Sequence, residues 1–194
     1  LTKDINQIKI RTGNSVSVYK GNSGMINKIE IDGKKINQTN VEIDYVIKIK
    51  NNGDIAGYAK EIWDYLPEQL EYNMSQNTNW KLQNGRLVSN ELENVIIEPG
   101  EEREIHLILT KDMKDDNVGT IINVAEIGAD YNERGTSDLN SEAGNNNPDE
   151  NDYGMATLII GIKTGKEVFY IGITLVSIFV IGIGVYFIKK KVIG

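Results

Sequence analysis

The densest run of hard oxygen donors in the chain is DYNERGTSDLNSEAGNNNPDEND, residues 130–152. Asp130, Asn132, Asp138, Asn140, Glu142, Asp149, Glu150 and Asp152 offer carboxylate or amide oxygens, and calcium takes about six to eight of these on a flexible loop. The opening DYNERG has an acid or amide first and third and Gly135 sixth, as a calcium loop does. Arg134 stands fifth, however, and the closing acid, Glu142, comes one residue late. Weak calcium binding is therefore one expectation, and a solvated, turn-rich crossover between the last two strands is the other. Elsewhere the signals for chemistry are sparse. There is no cysteine and only one histidine, His106, which excludes disulfides, thiolate chemistry and two-histidine zinc motifs. No serine or acid is spaced with His106 to suggest a triad. Glu61 and Asp64 flank Trp63 as a glycosidase pair would, but carboxylates along a strand read as its wet face. Trp63 and Trp80 read as core packing, with a carbohydrate platform as the alternative. An enzyme is not expected.

The elements that must carry these residues are strands. In VEIDYVIKIK (41–50), Val41, Ile43, Tyr45, Ile47 and Ile49 alternate with polar residues, the period of a half-buried strand. REIHLILT (103–110) repeats the alternation, and TIINVAEI (120–127) and MATLIIGI (155–162) are more continuously apolar. QIKIRT, SVSVYK, NKIEID, GYAKEIWDYL and GRLVS are weaker candidates, separated by turn signals such as GNSG, NNGD and EPGEE. No long helical period precedes residue 168. This predicts an all-β chain, an immunoglobulin-like antiparallel β-sandwich over 41–162, with residues 1–40 as leading strands or an extension of it. The net charge of −7 is concentrated in that body, because the last 32 residues are basic on balance. Such a body argues against nucleic acid as a partner.

From Val168 to Ile188 the chain carries no charge. A helix of that length spans about 32 Å, enough for a hydrocarbon core of about 30 Å. Lys189, Lys190 and Lys191 follow. The expected layout is a linker at 163–167, a single transmembrane helix at 168–188 and a basic cytoplasmic tail at 189–194, with the body extracellular. The chain starts at Leu1 without a leader, so it is expected to be a processed form or the C-terminal piece of a longer protein.

Several stretches resemble an Ig-like repeat domain found in Gram-positive cell-surface proteins. They are YVIKIKNNGDIAGYAKEIWDYLPEQLEY, IEPGEEREIHLIL and GTIINVAEI, with the acidic loop and last strand resembling a clostridial-type subgroup. The resemblance covers about residues 41–190 and implies extracellular modules of stalks and adhesins, without catalysis. It also frames GIKTGKEVFY (161–170). Thr164-Gly165 before an apolar helix and basic tail resembles a sortase sorting signal cut between those two residues, but Gly161-Ile162 stand where that signal has Leu-Pro. A plain membrane anchor and covalent linkage to peptidoglycan by sortase therefore both stay open. A Lys–Asn isopeptide bond is known in Gram-positive surface sandwiches and needs a lysine, an asparagine and an acid buried together. Asn123 and Asp64 suit two of these roles. Lys48 and Lys50 fall on the polar face of their strand, which argues against the bond. The functional expectation is a membrane- or wall-anchored structural spacer, with an adhesin recognising carbohydrate or host protein as the alternative.

Overall fold

The computed structural model describes residues 1–114, 118–135 and 141–163. The proposed cleavage pair Thr164-Gly165, the span Val168–Ile188 and Lys189–Lys191 lie outside the described residues, as do Asp138 and Asn140. Among the described residues, no helix is long and apolar enough to cross a membrane.

The described chain is all-β. In order it forms β1 (Thr2–Thr12), β2 (Ser15–Lys20), β3 (Asn27–Asp32), a 3-10 turn (Gly33–Gln38), β4 (Thr39–Lys50), β5 (Tyr58–Tyr65), β6 (Glu71–Tyr72), β7 (Trp80–Gln83), β8 (Arg86–Ser89), β9 (Glu102–Asp112), β10 (Gly119–Tyr131) and β11 (Tyr153–Lys163). Two sheets stack as a sandwich, one ordered β2-β1-β4-β9-β6 and the other β3-β11-β10-β5-β8-β7.

The alternation read from the sequence is what fills the space between them. Along β4, Val41, Ile43, Tyr45, Ile47 and Ile49 are all buried. They sit beside Leu109, Leu107 and Ile105 of β9 through the pairs Ile43↔Leu109, Tyr45↔Leu107 and Ile47↔Ile105. The second sheet answers with Ile62, Leu87, Ile121, Leu158 and Ile160. Burying this many branched aliphatic side chains is the main stabilising term, at about 1.5–3 kcal/mol for each side chain.

One detail departs from the antiparallel expectation. The sandwich is not wholly antiparallel, since β3 joins β11 in parallel. The first forty residues also contribute three strands to both sheets. β1 pairs with β4 inside the first sheet, and β3 closes an edge of the second.

A bulge sets the phase of β1. The register against β4 shifts between Ile5 and Gln7, so Lys3 and Ile5 face inward before it, and Ile8 and Ile10 face inward after it. Gly21 sits against this bulge. A Cβ there would lie 1.6 Å from the Ile5 carbonyl oxygen, so only glycine lets the chain after β2 pass so close.

Candidate functional site: a buried lysine, aspartate and asparagine

Polar side chains are not expected between two apolar sheets, yet three chemically distinct ones meet there. Lys3 is 3% exposed, and Asp64 and Asn123 are 0% exposed. Lys3 comes from β1 in one sheet, while Asp64 on β5 and Asn123 on β10 come from the other. Pairing explains how the second sheet assembles its two. Asp64 lies opposite Ala125, and Asn123 is two residues from Ala125 on the same face, so the two side chains are diagonal neighbours.

Small residues make room for the lysine. Ala156 lies opposite Asn123, and Gly154 opposite Ala125. A Cβ on Gly154 would come within 2.9 Å of the Lys3 backbone nitrogen, so the start of β1 rests on β11 at this point. The Lys3 side chain then runs inward over the Tyr45 ring, its Nζ 4.7 Å from the ring centroid, and donates to Asp64 Oδ2.

The cluster is only half satisfied. The Asn123 carboxamide lies against the Asp64 carboxylate and the Tyr45 hydroxyl. Neither contact has hydrogen-bond geometry, so both Asn123 side-chain atoms, Asp64 Oδ1 and Tyr45 Oη are without partners. Buried polar atoms in native proteins are nearly always paired, and four orphans in one place point to chemistry rather than to packing. Burial pulls the Lys3 ammonium down from its ordinary pKa, against the attraction of Asp64. It pushes the Asp64 carboxyl up, against the attraction of Lys3. Both trends favour the neutral pair, amine and carboxylic acid. A neutral amine is a nucleophile, a carboxamide is an electrophile, and a carboxylic acid can pass protons between them.

Other residues singled out by sequence fall elsewhere. Asp64 faces the core, whereas Glu61 accepts from Trp63 Nε1 at 2.7 Å on the outer side. The two carboxylates therefore share no cleft, and the wet-face reading of Asp64 is corrected. Lys48 is only half-buried and pairs with Glu102 at 3.7 Å, and Lys50 is exposed. His106 is exposed and its Nδ1 meets Asp44 at 2.8 Å. Trp80 is buried. Trp63 is half-buried under the Arg86 guanidinium, which lies 3.2 Å from the ring centroid.

The later part of the acidic loop, from residue 141 on, folds back over the outside of β10. Glu126, on that outer face, is fully buried beneath it and accepts from Asn146 N at 2.8 Å and from Tyr65 Oη. The Glu150 carboxylate is used by the loop itself, accepting from Glu142 N, Asn145 and Asn147. Among the described residues, no three acidic or histidine side chains gather as a metal cage.

Asp152 is buried with neither carboxylate oxygen hydrogen-bonded. Burial, reinforced by Glu150 and Glu126, pushes its pKa up from 3.8 to about 6. A carboxyl raised on folding binds more protons in the native state across that window. Stability is therefore expected to fall as pH rises from about 4 to about 6 through this group. Denaturant titrations at several pH values check this, and Asp152→Asn should remove that component of the slope.

No family model matches the chain, and no curated protein matches it. The resemblance to an Ig-like repeat family thus rests on its motifs. Among solved structures the chain is similar to the crystal structure of the Actinomyces fimbrial adhesin FimA, at 13% identity and a TM-score of 0.35. That likeness covers 66% of this chain and 53% of the other, so the chain spans about half the length of that adhesin. A likeness at that score fixes no role.

Proposed function

We propose that the chain is an extracellular spacer module, an Ig-like sandwich held at a bacterial surface by its C-terminal segment. The observation that carries the reading is the path of the chain. Leu1 donates to the Asn151 carbonyl beside the start of β11, while Lys163 ends β11 at the opposite end of the sandwich. At about 3.3 Å per residue, the eleven-residue strand separates the two by about 35 Å. A module with its ends so placed lengthens whatever it joins. The sequence of the tail supports membrane insertion, with sortase-mediated linkage to peptidoglycan as the competing attachment.

Fractionation of cells tests the anchor. Release by detergent alone is expected, whereas release only by wall hydrolases would favour cleavage at Thr164-Gly165. Protease that leaves the body intact on whole cells would overturn the surface location.

An adhesin reading draws on the exposed Val16 and Val18 of the edge strand β2, and on Tyr131. Tyr131 packs against Tyr58 with ring centroids 6.0 Å apart, and Lys60 lies over both rings. Trp63, the larger aromatic, is covered by Arg86, which favours the spacer. Saturable binding of the purified chain to a glycan or matrix protein, lost in Tyr131→Ala or Val18→Asp, would replace the spacer by the adhesin.

A further inference from the structure

We infer that the folded protein carries an amide bond between Lys3 Nζ and Asn123 Cγ, formed with loss of ammonia and with Asp64 as the proton carrier. The inference depends on the buried cluster alone, not on where the body is displayed. Three observations carry it. The nucleophile and the acid are already in contact, since Lys3 donates to Asp64. The acceptor carboxamide lies against that same carboxylate with no hydrogen bond holding its nitrogen or its oxygen. All three groups are shut away from water, which would otherwise compete for the acyl carbon.

The step balances without any outside reactant. The Lys3 ammonium first gives a proton to the Asp64 carboxylate, leaving an amine and a carboxylic acid. The amine lone pair attacks Asn123 Cγ, the Nζ–Cγ bond forms, and negative charge moves onto Asn123 Oδ1. Tyr45 Oη has no other partner and lies against this carboxamide, so its hydroxyl is placed to donate to that oxygen. Asp64 passes its proton to Nδ2 and takes one from Nζ. The Cγ–Nδ2 bond then breaks and ammonia leaves. Asp64 remains protonated, so the product places no charge in the core. Asp64 and Tyr45 touch the reacting atoms and are catalytic in this step.

Asp64 is the competing acyl acceptor, because Lys3 already touches it. Attack there would expel water rather than ammonia and would leave the Asn123 orphans unexplained. The two outcomes differ in mass.

Intact-mass spectrometry of the full chain in detergent is the test. The expected mass is lower than the sequence mass by one ammonia, with conversion near completion. Asn52-Gly53 and Asn84-Gly85 can also shed ammonia by cyclising, so the bond must be located as a branched peptide joining residues 3 and 123. Asp64→Asn is expected to keep its full mass and give no branched peptide. A wild-type chain at full mass would overturn the inference. So would a branch between Lys3 and Asp64 with loss of water, or a branched 3–123 peptide persisting in Asp64→Asn. Should that variant fail to fold, the wild-type mass and branched peptide decide alone.

Discussion

Asp64→Ala should unfold at a much lower urea concentration than the wild type, for two separable reasons. Lys3 would be left buried without its acid partner, and an unsatisfied buried polar group costs about 1–3 kcal/mol. The variant would also lack the Lys3–Asn123 bond. A covalent closure over a loop this long constrains the unfolded chain by about 5 kcal/mol, if it acts as a disulfide of similar span does. Replacing both partners by apolar residues, Lys3→Met with Asp64→Leu, should recover the first loss but not the second, because exchanging both members of a buried polar pair for packed apolar groups is often nearly neutral. Urea titrations of the three proteins separate the terms. A double variant as stable as the wild type would show that no covalent constraint is present.

Trp80→Ala should cost about 3–5 kcal/mol, the range for deleting a buried large aromatic. Trp80 sits on β7 at the edge of one sheet, 1% exposed, and its Nε1 donates across the sandwich to the His106 carbonyl of β9 at 2.7 Å. Tyr72 of β6 donates to the Trp80 carbonyl at 2.6 Å. One side chain therefore both fills the end of the core and stitches the two sheets where β6 and β7 are too short to pair extensively. Trp80→Phe keeps most of the volume and loses the hydrogen bond, so a loss of about 1–2 kcal/mol is expected. Thermal melts followed by near-ultraviolet dichroism give both values.

Much of the fold was visible in the alternation of apolar residues. β4, β9, β10 and β11 stand where VEIDYVIKIK, REIHLILT, TIINVAEI and MATLIIGI place them. The parallel pairing of β3 with β11 was not visible, because the pattern NKIEID is the same in either direction. Of the buried cluster, Asn123 on an apolar strand and Asp64 were legible, and Lys3 was not. The signal existed, since Lys3 is in phase with the core residue Ile5. The bulge before Gln7 hid it by putting two residues between Ile5 and Ile8 instead of one. Glu126 was hidden for another reason. The burial of Glu126 comes from a loop covering the outer face of a sheet, and strand periodicity assigns that face to solvent.

The closed loop from Lys3 to Asn123 leaves β11 outside it. A pull applied between Leu1 and Lys163 would pass directly from β1 into β10 at Asn123, sparing every strand between. The tension would then run through the end of β10 and the chain after it into β11, drawn lengthwise past β10 on one side and β3 on the other. Hydrogen bonds loaded that way must break together rather than peel in turn. The last strand is thus the mechanical fuse of the module, and the rest of the sandwich stays folded behind it.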